Sequence, residues 1–81
     1  MKVEYEFSAH ALDMLSERAI SEEWVSDALN SPDRTEVGED YNIHYIKAIP
    51  GFGSRFLRVV VNPSQNPVRV VTLFFDRRIR N

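Results

Sequence analysis

The chain has no cysteine, which excludes a disulfide framework and any thiolate metal site and fits a reducing cytosol. It has only three glycines, and none opens a phosphate-cradling loop; Gly51-Phe52-Gly53 reads as a turn. Long apolar runs are missing too. The longest, Val70 to Phe75, is six residues and contains Thr72, whereas a membrane span needs about 20. The start, MKVEYEFSAH, has no apolar core of a signal peptide, so a cytoplasmic protein without membrane contact is expected. The two histidines, His10 and His44, have no ligand spacing, so no metal and no cofactor is expected. No Ser/His/Asp nucleophile set is present.

Acids are nearly missing from the second half. Residues 41–81 carry seven bases and one acid, Asp76, a balance of +6. Residues 1–40 carry eleven acids and three bases, a balance of −8. The total of −2 hides both. Either the halves neutralise each other in the fold, or the basic half offers a face to an anion. The pI near 5.6 argues against indiscriminate coating of DNA.

Eighty-one residues make a single domain, 1–81. A chain this short buries about 60–65% of its unfolded surface, so its stability is modest. A hydrophobic fraction of 43% is ample for a folded core.

Two helices begin with the same device. Ser8 is placed to cap a helix over 9–18, with Phe7 able to staple to Leu12. Ser21 is placed to cap a helix over 22–30, with Ile20 able to staple to Val25. Glu22 and Glu23 then suit the positive end of the helix dipole, and Pro32 ends the second helix. Ala11, Met14 and Leu15 form one apolar stripe, and Trp24, Val25, Ala28 and Leu29 form the other. Trp24 is expected in the core with Leu15, Leu29 and Leu57. The connection is short enough for a tight αα-hairpin.

After Pro32 the periodicity changes to two. Strands are expected over 33–38, 42–49, 55–61 and 68–75, with a further short strand over 2–6. Short connections imply an antiparallel meander. The expected fold is α+β: two N-terminal helices packed on a three- to four-stranded antiparallel sheet. Alternation gives one sheet face as Leu57, Val59, Val61, Val71, Leu73 and Phe75, the seat of the helices. The other face, Phe56, Arg58, Val60, Val70, Thr72 and Phe74, is too apolar to be solvated. It is either covered by the chain or used as an interface, by a partner or a second copy, through Phe56, Val60, Val70 and Phe74.

Chemistry has few candidates. His10, in the first helical turn on the same face as Glu17, is of the residue type that most often does general acid–base work; a structural histidine is the alternative. Arg58 is a charge within an apolar strand and needs a partner. That partner is an acid such as Glu17 or Asp27, or a phosphate, which a guanidinium grips in two places. Thr72 falls on the Arg58 face if the last two strands pair. Arg77, Arg78 and Arg80 form a basic tail.

Phe7-Ser8-x-His10-Ala11, Glu17-Arg18-x-Ile20-Ser21, Val25 to Leu29-x-x-Pro32, Leu57-Arg58-Val59-Val60 and Val71-Thr72 to Phe75-x-Arg77 occur in order along almost the whole chain. As a set they resemble domain of unknown function family 4258, small bacterial proteins similar to the RelE- and BrnT-like toxins. That resemblance implies the same α+β fold. It also implies an RNA-cleaving toxin of a toxin–antitoxin pair, with RNA and a small antitoxin protein as partners. Two positions depart from the family pattern: Met14 stands where arginine is usual, and Ala19 where glycine is usual. The first removes one phosphate ligand; the second obliges Ala19 to strain or to end the helix differently.

The expected activity is metal-independent endoribonuclease cleavage by 2′-hydroxyl attack. His10 would move a proton, Arg58 would stabilise phosphorane charge, and Arg18 and Thr72 would orient. Arg55, Arg77 and Arg78 would bind the nucleic-acid backbone. One geometric question stands: with the helices on the Leu57 face, Arg58 points away from them, and His10 must still reach it. The alternative function is a non-catalytic interaction module.

Overall fold

Both serine caps form. The computed structural model describes residues 4–49 and 55–77. Ser8 Oγ accepts from the Ala11 amide at 3.1 Å and opens α1, Ala9–Glu17. Ser21 Oγ accepts from the Glu23 amide at 3.1 Å and opens α2, Glu22–Asn30. Ile20 and Val25 are both buried, as the second staple requires. Leu12 stays 53% exposed, and Phe7 instead packs on the core and meets the Tyr5 ring edge-on at 5.4 Å.

The end of α1 answers the Ala19 question. The Ile20 amide donates to Leu15 O at 3.0 Å and the Ala19 amide to Ser16 O at 3.4 Å, which together make a Schellman turn. The turn holds Ala19 at φ 51°, so alanine carries the conformation that glycine adopts without strain.

The strands are β1 (Tyr5–Phe7), β2 (Arg34–Val37), β3 (Ile43–Ile49), β4 (Arg55–Asn62) and β5 (Val68–Asp76). They form one five-stranded sheet in the order β1-β5-β4-β3-β2. The strands from β2 to β5 are the expected meander. The sheet has one more strand than expected, however, and it is mixed. β1 pairs parallel with β5, Tyr5 opposite Val68 and Phe7 opposite Val70. A three-residue strand is too short to display a period, and its partner lies about sixty residues away, so nothing local announces the pairing.

The helices pack on the face that carries Leu57, Val59, Val61 and Leu73. Trp24 is half-buried there, its ring 6.1 Å from Phe75. One residue departs from simple alternation. Val61 pairs with Val70 and Val60 with Thr72, so Val71 is an extra residue, a β-bulge. The bulge turns Val70, rather than Val71, into the core beneath the helices. The surface expected from Phe56, Val60, Val70 and Phe74 is therefore not continuous. Val70 faces the helices, Phe56 and Val60 are buried, and Phe74 is half-buried. Ile46, on the Phe56 side, is also fully buried. Among the described residues no helix is long and apolar enough to cross a membrane.

Candidate functional site

The bulge at Val71 is also where the helices meet the sheet edge. β1 ends opposite Val70, so β5 beyond that residue has no strand on its outer side among the described residues. The chain leaves β1 at Ser8, whose amide donates to Val70 O at 3.0 Å. The Ser8 hydroxyl, already capping α1, donates to Val71 O at 2.9 Å. Two bonds thus lock the first turn of α1 against the bulge.

That lock places His10. Its Nε2 lies 3.1 Å from Thr72 Oγ1, and both groups can donate or accept. His10 is exposed and Thr72 half-buried. Thr72 is the register partner of Val60, so it lies on the face that carries Arg58. Arg58 pairs with Phe74, which makes Thr72 its diagonal neighbour, about 7–8 Å away and somewhat less between Cβ atoms. An α1 side chain thus reaches round the open strand edge to the face opposite the helices.

Arg58 is held differently from either expected partner. Glu17 and Asp27 belong to helices on the other face. Arg58 Nε donates to Asp76 Oδ2 at 2.8 Å, and the two side chains are 11% and 2% exposed. Arg58 Nη1 donates to His44 Nδ1 at 2.9 Å and lies 3.8 Å from Glu36 Oε1. A guanidinium can only donate. His44 Nδ1 must therefore accept, and the other ring nitrogen is Nε2. That nitrogen is buried without a hydrogen-bond partner, 3.7 Å from Asp40 Oδ1. Gly38 closes over it: a Cβ there would stand 2.6 Å from His44 Nε2. The Asn42 amide donates to Asp40 and, more than any other cause, holds its carboxyl below the usual carboxylate range.

Asp76, His44 and Glu36 are the members of this cluster that the sequence reading missed. Asp76 had a signal, as the single acid of the basic half and in phase with Thr72 and Phe74. His44 and Glu36 had none short of the strand register.

The other expected residues spread out. Arg18 caps the far end of α1, about 12 Å along the axis from His10, and joins neither group. Arg55 is exposed at the start of β4 and Arg77 just beyond β5. Arg78 lies outside the described residues. The charged halves meet across the sheet: Arg58 faces Glu36, and Arg69 Nη2 lies 3.7 Å from Glu6 Oε2. These two pairs join the acidic and basic halves across the sheet. Among the described residues no group of three His, Asp or Glu side chains is arranged to hold a metal ion.

The arrangement defines a small α+β domain with an exposed helix histidine set against a bulged strand edge. Residues 7–75 match the family described as Domain of unknown function (DUF4258), and the chain belongs to that family. No curated protein and no solved structure matches it.

Proposed function

We propose that the protein is a metal-independent ribonuclease-like toxin that acts on single-stranded RNA in the cytosol. The observation that carries this reading is the His10–Thr72 contact of 3.1 Å, an exposed acid–base group oriented on the face that holds Arg58. RNA supplies its own nucleophile. A base that removes the 2′-hydroxyl proton lets the oxygen attack the adjacent phosphorus. The 5′-oxygen then leaves with a proton, and a cyclic phosphate remains. His10 moves the proton, a contribution of about 10²–10⁴-fold. Thr72 holds the ring. Arg58, diagonal to Thr72 and tied to Asp76 and His44, contributes positive charge close to where a phosphate at this edge would sit. Arg77, exposed beside the end of β5, suits the RNA backbone. A small antitoxin would silence the protein by covering the His10–Thr72 edge.

The test is cleavage of single-stranded RNA by purified protein in EDTA, with growth arrest on overexpression as the cellular readout. Products should carry cyclic phosphate ends, and DNA should resist because it lacks the 2′-hydroxyl. His10→Ala should abolish both effects. Thr72→Val should lower the rate and shift its pH profile. Arg58→Ala is a poor probe of chemistry, since it leaves Asp76 buried and unpaired. Absence of cleavage, or full activity in His10→Ala, would replace this reading with a non-catalytic interaction module.

A further inference from the structure

Strand β2 ends the sheet, and all four of its residues are exposed. Which backbone groups it offers follows from the ladder. The Gly38 amide donates to Asn42 O at 2.9 Å, and the pairs Glu36–His44 and Arg34–Ile46 continue that register in steps of two. Antiparallel bonds alternate, so these three residues direct their N–H and C=O groups inward. Thr35 and Val37 direct theirs outward, and nothing among the described residues pairs with them. Such an edge is a template for another strand.

We infer that the occupant is the β2 strand of a second copy, antiparallel, with the two-fold axis at Thr35. The argument is register and charge. Outward bonds can form only at Thr35 and Val37. Centring on Thr35 pairs the two Thr35 backbones and sets Arg34 of each copy against Glu36 of the other. Arg34 and Glu36 share one face of β2, so two opposite-charge pairs form across the axis. Pairing Thr35 with Val37 instead would set Glu36 against Glu36, which like-charge repulsion disfavours. Both registers are two-fold and the second would use both outward residues, but only the Thr35-centred one is complementary in charge, and an isologous contact needs that self-complementarity.

A second observation lies at the same edge. Val37 is 74% exposed, and Tyr41, at the tip of the β2–β3 hairpin, is 84% exposed. Tyr41 is also held at φ 65°, a conformation that costs a bulky residue about 1–2 kcal/mol. That backbone is the one the three-residue hairpin loop requires, since the Tyr41 amide donates to Gly38 O and the Gly38 amide to Asn42 O, so what points to a partner is the exposed apolar pair Val37 and Tyr41 beside the open strand. Two sheets joined here would form one ten-stranded sheet with both Arg58 sites on the same continuous face.

Sedimentation velocity from micromolar to millimolar protein tests this inference, independently of any activity. The native chain should show a concentration-dependent dimer. Thr35→Pro removes an outward N–H that the monomer does not use, and proline is tolerated at such positions. It should give a monomer that melts where the native chain does at concentrations low enough for the native chain to be a monomer too. Arg34→Glu and Glu36→Arg should each weaken dimerisation by about tenfold or more, because like charges then meet twice. Mixing those two variants should restore a one-to-one dimer, since each glutamate then faces an arginine. A native chain that stays monomeric throughout would overturn the inference. So would a Thr35→Pro dimer, or a mixture no tighter than its components.

Discussion

Arg58 and Asp76 form a closed ion pair on the sheet face opposite the helices, Nε to Oδ2 at 2.8 Å. Both side chains are withdrawn from water, and His44 accepts from the same guanidinium at 2.9 Å. A charge within an apolar strand is thereby answered by the single acid of the basic half. Charged partners removed together are often replaceable; one removed alone leaves the other stranded.

Arg58→Ala should therefore cost about 3–5 kcal/mol, a large share of the stability of so small a domain. Replacing both partners, Arg58→Met with Asp76→Leu, should recover most of that loss. Urea unfolding of the three chains measures it. A loss below about 1 kcal/mol for Arg58→Ala would show that the pair is screened as a surface pair is.

Ser8 has two jobs and Ser21 has one. Both cap helices, but only the Ser8 hydroxyl also donates to the bulge carbonyl of Val71. Ser21→Ala should cost about 1 kcal/mol, the usual loss of a cap. Ser8→Ala should cost about 1 kcal/mol more, for the second bond. It should also release the first turn of α1 and broaden the His10 ring resonances in NMR spectra. Equal losses for the two variants would mean that the Val71 bond contributes nothing.

Two small-residue exchanges should have opposite signs. Ala19 sits at φ 51° in the turn that ends α1, so Ala19→Gly should stabilise the fold by about 1 kcal/mol. Gly38→Ala puts a methyl 2.6 Å from His44 Nε2 and should destabilise by about 1–3 kcal/mol. Thermal melts of both variants give the comparison; a neutral Gly38→Ala would mean that His44 moves aside at no cost.

Stability should fall at alkaline pH through Tyr5. Burial, and then the charge of Glu22, push its hydroxyl above the ordinary tyrosine range, while a hydrogen bond to Ser26 pulls the other way. The folded state thus holds the proton more tightly than the unfolded chain does. The contribution is fully present below about pH 10 and is lost as pH rises through the folded value. Urea midpoints measured across that range should decline in the native chain and decline less in Tyr5→Phe. Equal slopes would assign the decline to other groups.

Sequence alone determined the local structure. Ser8 and Ser21 opened the helices, Pro32 closed the second, and the change from period 3.6 to period two placed β2 to β5 within a residue or two. These signals are legible because caps, proline geometry and side-chain alternation act within a few residues. His10, Thr72 and Arg58 stood out as residue types in unusual places for the same reason. Tertiary structure decided how they combine. The parallel pairing of β1 with β5, the bulge that exchanges Val70 for Val71, and the partnership of Arg58 with Asp76 and His44 all join residues remote in the chain. One extra residue in a strand reverses which side chains face the core. A lone arginine accepts whichever acid the register brings beside it, and register is settled by the packing of the whole sheet.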